Sequence, residues 1–253
     1  MIKFFRHIRR HLLTDKAGNN FSKYLFYAIG EIILVVIGIL IALQINTWNN
    51  ERETRSLEVK IIKELRSNLL LDLEEIREDI DLMNAISKSS SKVYTYIATS
   101  EYAVDSLQYY ASQLRTTPHF DPNLSGYDFL VSKGIGIISN DSLRNDISVH
   151  YERLYPYYRR YEEERIRFHA LHSEPVLIDY FEMEFDTTEV HYNRFKISQY
   201  DYDRLKMDNQ FKKVVKAIAF ENSGVQNRAM RVEDNILTLL DKLNAALEEL
   251  QTE

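Results

Sequence analysis

The sequence predicts an all-α protein: a single N-terminal transmembrane helix followed by an elongated antiparallel helical bundle. Three observations carry this expectation. The run Leu25 to Ile45 is apolar except for Glu31 and Gln44. After it, apolar residues recur every three or four positions over long stretches, the period of an amphipathic helix. Gly (7) and Pro (4) are scarce in 253 residues, so turns are few and elements are long. A few aromatic-rich stretches are the only competing strand signal.

The elements follow in order. Residues 1–24 carry Lys3, Arg6, Arg9, Arg10, Lys16 and Lys23 against Asp15, a net of +5; Glu31 adds −1, which leaves −10 on the remainder of a chain whose total is −6. Within "IKFFRHIRRHLL", Phe5, Ile8 and Leu12 share a helical face among Arg6, Arg9 and Arg10. That pattern predicts a helix lying on an anionic lipid surface. Residues 25–47 then span roughly 30 Å of hydrocarbon at about 1.5 Å per residue, with Tyr24, Tyr27 and Trp48 as interface aromatics. A cleaved signal peptide fits poorly, because the apolar run is too long and no small-x-small site follows it.

Orientation is not set by flanking charge: Arg10, Lys16 and Lys23 on one side balance Arg52, Arg55 and Lys60 on the other. Long domains translocate largely regardless of charge, whereas short basic tails resist. The expectation is therefore an N-terminus that stays in the cytoplasm and residues 48–253 carried across the membrane as a helical bundle.

In that body, Ile62, Leu65, Leu69, Leu73, Ile76, Ile80, Met83 and Ile86 mark one long helix from near Asn49, weakened at "SKSSSK" (Ser87 to Lys92). "DPNLSGYDFLVSKG" predicts a short helix stopped by Gly134. A further helix starts at a polar cap near Asn140 and carries Leu143, Ile147, Tyr151, Leu154, Tyr158 and Tyr161, with a kink expected at Pro156. "RTTPHFDP" and "FDTTEVHYNRF" read as irregular. Val225, Ala229, Val232, Ile236, Leu239, Leu243, Ala246 and Leu250 form a near-heptad seam. Its register extends back to Phe211 through Asn222, where an apolar residue is expected. "ENSG" (Glu221–Gly224) marks a break or a kink. The two outer helices are similar in length and are expected to pack antiparallel.

Chemistry is sparse. With no cysteine, disulfides, thiolate nucleophiles and Cys-based metal sites are excluded. An acidic body excludes nucleic acid as its partner. His169-x-x-His172 is a pair of packing or surface histidines rather than a metal site, since HExxH is absent. "KGIG" lacks phosphate-cradling spacing, and no nucleophile elbow occurs. No catalytic residue, metal or cofactor is expected.

Two features stand out. On a helix, Glu31 shares a face with Val35, Gly38 and Ala42. The last two form a small-xxx-small pair that admits a second helix, and an ionisable group at that depth calls for a partner. Tyr and Arg alternate from Tyr151 to Arg167, and Arg153, Tyr157, Tyr158, Arg159 and Arg160 form a candidate anion-binding or partner surface. The bland alternative is an aromatic buried face backed by a solvated, ion-paired one.

The opening "MIKFFRHIRRHLLT", the junction "FSKYLFYAIGEIILVVIGILIALQINTWN" and the later "PNLSGYDFLVSKGIGIISNDSLRNDI" resemble an uncharacterised membrane family of Bacteroidota, a domain of unknown function. That resemblance implies a one-pass inner-membrane protein with a periplasmic helical domain, and supplies no reaction, ligand or catalytic residue. The function expected is that of a non-enzymatic accessory or scaffolding subunit of a larger inner-membrane assembly. Its partners would be membrane lipid and either another integral membrane protein or a second copy, through the transmembrane helix. The alternatives are a periplasmic ligand-binding sensor signalling through a partner, and a proton-coupled, stator-like component using Glu31.

Overall fold

The computed structural model describes residues 20–184 and 194–252. The anchor residues Phe5, Arg6, Ile8, Arg9, Arg10 and Leu12 lie outside the described residues. The fold is all-α. Its longest helix, α1 (Asn20–Thr99), contains no proline, and its two glycines both precede Ile39. The chain divides into two compact units, one ending at Thr54 and the other starting at Arg55.

In the first unit, every side chain from Tyr24 to Thr54 is exposed. The mean hydropathy of its most apolar stretch is 2.6 with none of that stretch buried, so this one helix is long and apolar enough to cross a membrane.

The second unit is a bundle. After α1 come α2 (Asp105–Gln113) and α3 (Ser125–Lys133), which ends at Gly134 with φ +95°, a conformation that favours glycine. A 3₁₀ turn (Ile135–Ile137) leads to α4 (Asp141–Val149), capped by the Asn140 side chain accepting from Leu143 N–H at 3.0 Å. The chain continues through a π-helical turn (His150–Leu154), α5 (Tyr155–Phe168), a second π-helical turn (His169–Ser173) and α6 (Glu174–Ile178). A short antiparallel ladder pairs β1 (Glu182–Glu184) with β2 (Arg194–Lys196), Met183 opposite Phe195. Then come α7 (Gln199–Met207) and α8 (Asn209–Thr252).

Three expectations change. The kink at Pro156 is realised as a π-helical turn: Tyr155 N–H reaches back five residues to His150 O just before the proline that lacks a donor. The same device precedes Pro175, where Glu174 N–H bonds to His169 O. "ENSG" neither breaks nor ends a helix. Asn222 is buried there and donates to Met83 O at 2.7 Å and Ser87 Oγ at 2.8 Å, so the polar interruption on α8 meets the polar interruption on α1. Part of the "FDTTEVHYNRF" region is strand, pinned by Phe195 stacked on Phe181 at 5.1 Å.

The outer helices of this unit run antiparallel, as their cross-links show. Arg66 Nε donates to Asn244 Oδ1 at 2.7 Å, Arg77 pairs with Glu233 at 2.6 Å, and Gln226 Nε2 donates to Asn84 Oδ1 at 2.7 Å. Two apolar cores succeed one another along the bundle. The first gathers Ile61 to Met83, Phe120 to Tyr158 and Val225 to Leu243. The second gathers Ile86 to Ile97, Leu107 to Leu114, Leu177 to Leu205 and Phe211 to Ile218. Where they meet, the buried residues on the long elements are Glu162 and Arg165 on α5 and Asn222 on α8.

Candidate functional site

The Tyr/Arg segment divides by helical face. Tyr151, Tyr155 and Tyr158 are core residues: Tyr151 stacks on Tyr127 at 4.6 Å, and Phe120 meets Tyr155 and Tyr158 edge-on at 5.3 and 5.8 Å. Tyr158 is 0% exposed, which corrects its place in the candidate surface. It follows Tyr151 by seven residues and Tyr155 by three, so the apolar seam carries it inward. Arg159 and Arg160 are exposed, and Arg159 lies 3.4 Å from Glu163 in a solvated pair. Such a pair contributes little.

Arg153 and Tyr157 line a groove of about 590 Å³ between the α4–α5 run and α8, together with Leu154, Arg231, Asp234 and Asn235. Beneath it, buried His150 holds Asn235 Oδ1 through Nδ1 at 2.7 Å. Burial pulls this imidazole down to about 4, so it is neutral and donates. Beside the groove, the Arg228 guanidinium stacks on Tyr161 at 3.3 Å and lies 5.7 Å from Tyr157. The hydrogen bond of Tyr157 with Tyr161, then that with Arg228 and the Arg228 charge, lower its phenol.

The main polar construction of the body was not anticipated. One face of α1 holds the segment 119–139 through side-chain hydrogen bonds, in antiparallel order. Glu58 accepts from Ser139 N–H and Oγ–H at 2.7 and 2.8 Å, and Asn68 Nδ2 donates to Ser125 Oγ at 3.0 Å. Asp72 accepts from Asn123 N–H and Nδ2 at 2.8 Å each, Glu75 from Asp121 N–H at 3.0 Å, and Asp79 from His119 N–H at 3.3 Å. Glu162 on α5 accepts from Phe120 N–H at 3.0 Å, and Tyr155 donates to Asp72 Oδ2 at 2.7 Å.

Four successive donors of an irregular stretch, interrupted only by Pro122, are thus satisfied by four carboxylates, the buried one being Phe120 N–H on Glu162. Burial pushes Glu162 up to about 8, with the Asp79 charge adding to it; burial also pushes Asp79 up to about 6 and raises Asp72. Perturbed carboxylates accompany catalysis in many enzymes. Here their hydrogen bonds to backbone assign them to holding a loop. The sequence signal was Asp72 and Asp79, seven residues apart within the Leu69–Met83 apolar stripe.

The histidine pair separates. His169 is buried against Ser173 Oγ at 2.8 Å, and His172 is exposed. Among the described residues no group of three or more His, Asp or Glu could hold a metal. In the first unit, Glu31, Gly38 and Ala42 are exposed along one face of α1, and a methyl group added at Gly38 would meet nothing within 4 Å. Trp48 is 62% exposed.

A family model described as a family of unknown function (DUF6090) matches residues 31–169. The match contains Glu31, the four carboxylates of the clasp and the loop they hold. No curated protein and no solved structure matches the chain.

Proposed function

The chain belongs to a family of unknown function (DUF6090), and from that premise we propose a membrane-anchored helical protein that acts by binding, as an accessory or scaffolding subunit of a larger membrane assembly. The observation that carries this is the exposed face of α1 bearing Glu31, Gly38 and Ala42. A charged residue near mid-bilayer costs about 3 kcal/mol on insertion scales. Each Leu, Ile, Val or Phe returns up to roughly 0.3–0.6 kcal/mol, so the run Leu25 to Ile45 inserts despite Glu31. The remaining cost falls when a neighbouring helix supplies a polar or basic partner, and small residues at positions 38 and 42 let that helix approach. The neighbour is another integral membrane protein or a second copy.

In this reading residues 1–24 lie at the cytoplasmic lipid surface, residues 25–47 cross the inner membrane, and residues 48–253 form a periplasmic bundle. The absence of cysteine makes single-cysteine probes clean. A cysteine at Asn209 should react with an impermeant maleimide from the periplasmic side of intact cells, and one at Lys3 only after lysis. Cysteine at Ala42 should cross-link within native membranes, whereas cysteine at Leu43 should do so poorly. Equal cross-linking at both positions, or none at either, contradicts a dedicated face.

One observation favours a second reading, a ligand-binding sensor: the groove lined by Arg153, Tyr157 and Arg231. Neutralising Arg153 and Arg231 together would abolish signalling and leave membrane assembly intact. Loss of assembly in Glu31→Gln with those arginines untouched favours the first reading.

A further inference from the structure

Arg165 on α5 is 0% exposed, and none of its three guanidinium nitrogens has a hydrogen-bond partner among the described residues. Burial pulls it down to about 10, with Glu221 acting in the opposite sense, so it is charged at neutral pH. A buried charge whose donors make no hydrogen bond is among the least favourable arrangements a fold can hold. The acids nearest along the chain are engaged elsewhere: Glu162 holds Phe120 N–H, and Glu174 pairs with Arg115 at 2.9 Å.

The surroundings are polar. Tyr158, Glu162, Arg165, His169 and Ser173 are buried at spacings of four, three, four and four, so they follow one face of the α5 run. His169 Nδ1 lies 2.8 Å from Ser173 Oγ, and its Nε2 lies 3.9 Å from Glu174. Burial, then the charges of Arg165 and Arg115, hold this imidazole below its ordinary range. Both guanidinium groups are therefore within electrostatic reach of it, and it is neutral. Glu174 is paired to Arg115 and Glu221 acts on Arg165 only through space, which leaves the Arg165 fork unbonded. Arg115 and Glu174 have side chains 30% and 33% exposed, which opens the cluster to solvent at their ion pair.

We propose that Arg165, with Arg115, beside His169 and Ser173, forms a binding site for a small oxyanion, a phosphate or a carboxylate. The planar guanidinium fork matches both groups and binds them in two-point fashion; the Ser173 hydroxyl gives its hydrogen to His169 O at 3.2 Å and so holds the imidazole beside the fork. The site lies within the bundle and does not depend on the role of Glu31.

The test is thermal unfolding and isothermal titration of the full chain in mild detergent, with sodium phosphate or sodium acetate added at constant ionic strength set by sodium chloride. The wild type should show a saturable rise in Tm with at least one of the two oxyanions, phosphate alone indicating a phosphate site and both indicating a general carboxylate-accepting one. Arg165→Met should lose that rise. Arg165→Lys, which keeps the charge without the fork, and Arg115→Gln, at a part-exposed position, should each weaken binding at least tenfold, so the proposal stays testable if Arg165→Met does not fold. A wild type indifferent to both oxyanions, or variants that respond as it does, would overturn the site and leave Arg165 a structural residue.

Discussion

Glu162 and His150 titrate in opposite senses, and their windows do not coincide. Glu162, pushed up to about 8 from an ordinary 4.5, binds its proton more tightly when folded. Its contribution is fully present below pH 4.5 and is lost as pH rises through 8. Asp79, pushed up to about 6, behaves likewise at lower pH. His150, held at about 4 against 6.5, must charge on unfolding, so its contribution is present above pH 6.5 and lost as pH falls through 4. Between pH 8 and 6.5 Glu162 acts unopposed. The protein should gain stability on acidification there, by up to about 1.4 kcal/mol per pH unit for one proton. Melting curves at pH 8.5 and 6.5 check this, and Glu162→Gln should flatten the dependence while keeping an acceptor for Phe120 N–H. These residues were hidden in the sequence because an acid on a charged helix reads as solvated; only Asp72 and Asp79, lying in apolar register, betrayed burial. Tyr151 and Tyr158 were legible as members of a helical stripe and Tyr155 was not, and the Tyr/Arg alternation set Tyr158 beside exposed Tyr157 in the candidate surface.

At the level of elements, the clasp from α1 to the segment 119–139 makes its members unequal. Asp72→Ala would leave Asn123 N–H, Asn123 Nδ2 and the Tyr155 hydroxyl without their buried acceptor. It should destabilise by on the order of 3 kcal/mol, a fall in Tm of about 10 °C for a protein of this size. Glu75→Ala, releasing only the exposed Asp121 N–H, should cost far less, and equal losses would refute the clasp. Gly126 sits where α3 crosses α1: a Cβ there would lie 2.8 Å from Asn68 Oδ1 and 3.0 Å from Leu65 N. Gly126→Ala should therefore cost about 1–3 kcal/mol through overpacking, measured by denaturant unfolding. The long helices, the Asn140 cap and the Gly134 stop were legible because each rests on local chemistry. The first bundle helix was expected to run on past "SKSSSK", weakened there, but the continuity of α8 through "ENSG" was not legible, because it depends on Asn222 meeting Met83 O and Ser87 Oγ across the bundle. Similarly, the π-helical turns before Pro156 and Pro175 follow from packing on both sides of each proline.

The whole molecule pairs a well-tied helical bundle with an apolar segment that satisfies nothing within its own unit. Every side chain from Tyr24 to Thr54 is exposed there, including the acid at Glu31 and the small residues at Gly38 and Ala42. That one helix near the N-terminus is long and apolar enough to cross a membrane was legible, because length and hydropathy alone define such a helix. What it associates with was not, since a partner leaves no mark on one chain beyond the residues that would receive it. The central claim is that this face receives another helix, and native mass spectrometry of mild-detergent extracts tests it most directly. The wild type should emerge with a stoichiometric second chain or as a defined oligomer, and Glu31→Gln should emerge largely as monomer with an unchanged melting temperature for the bundle. A wild-type monomer, or identical associations in wild type and Glu31→Gln, would contradict the account.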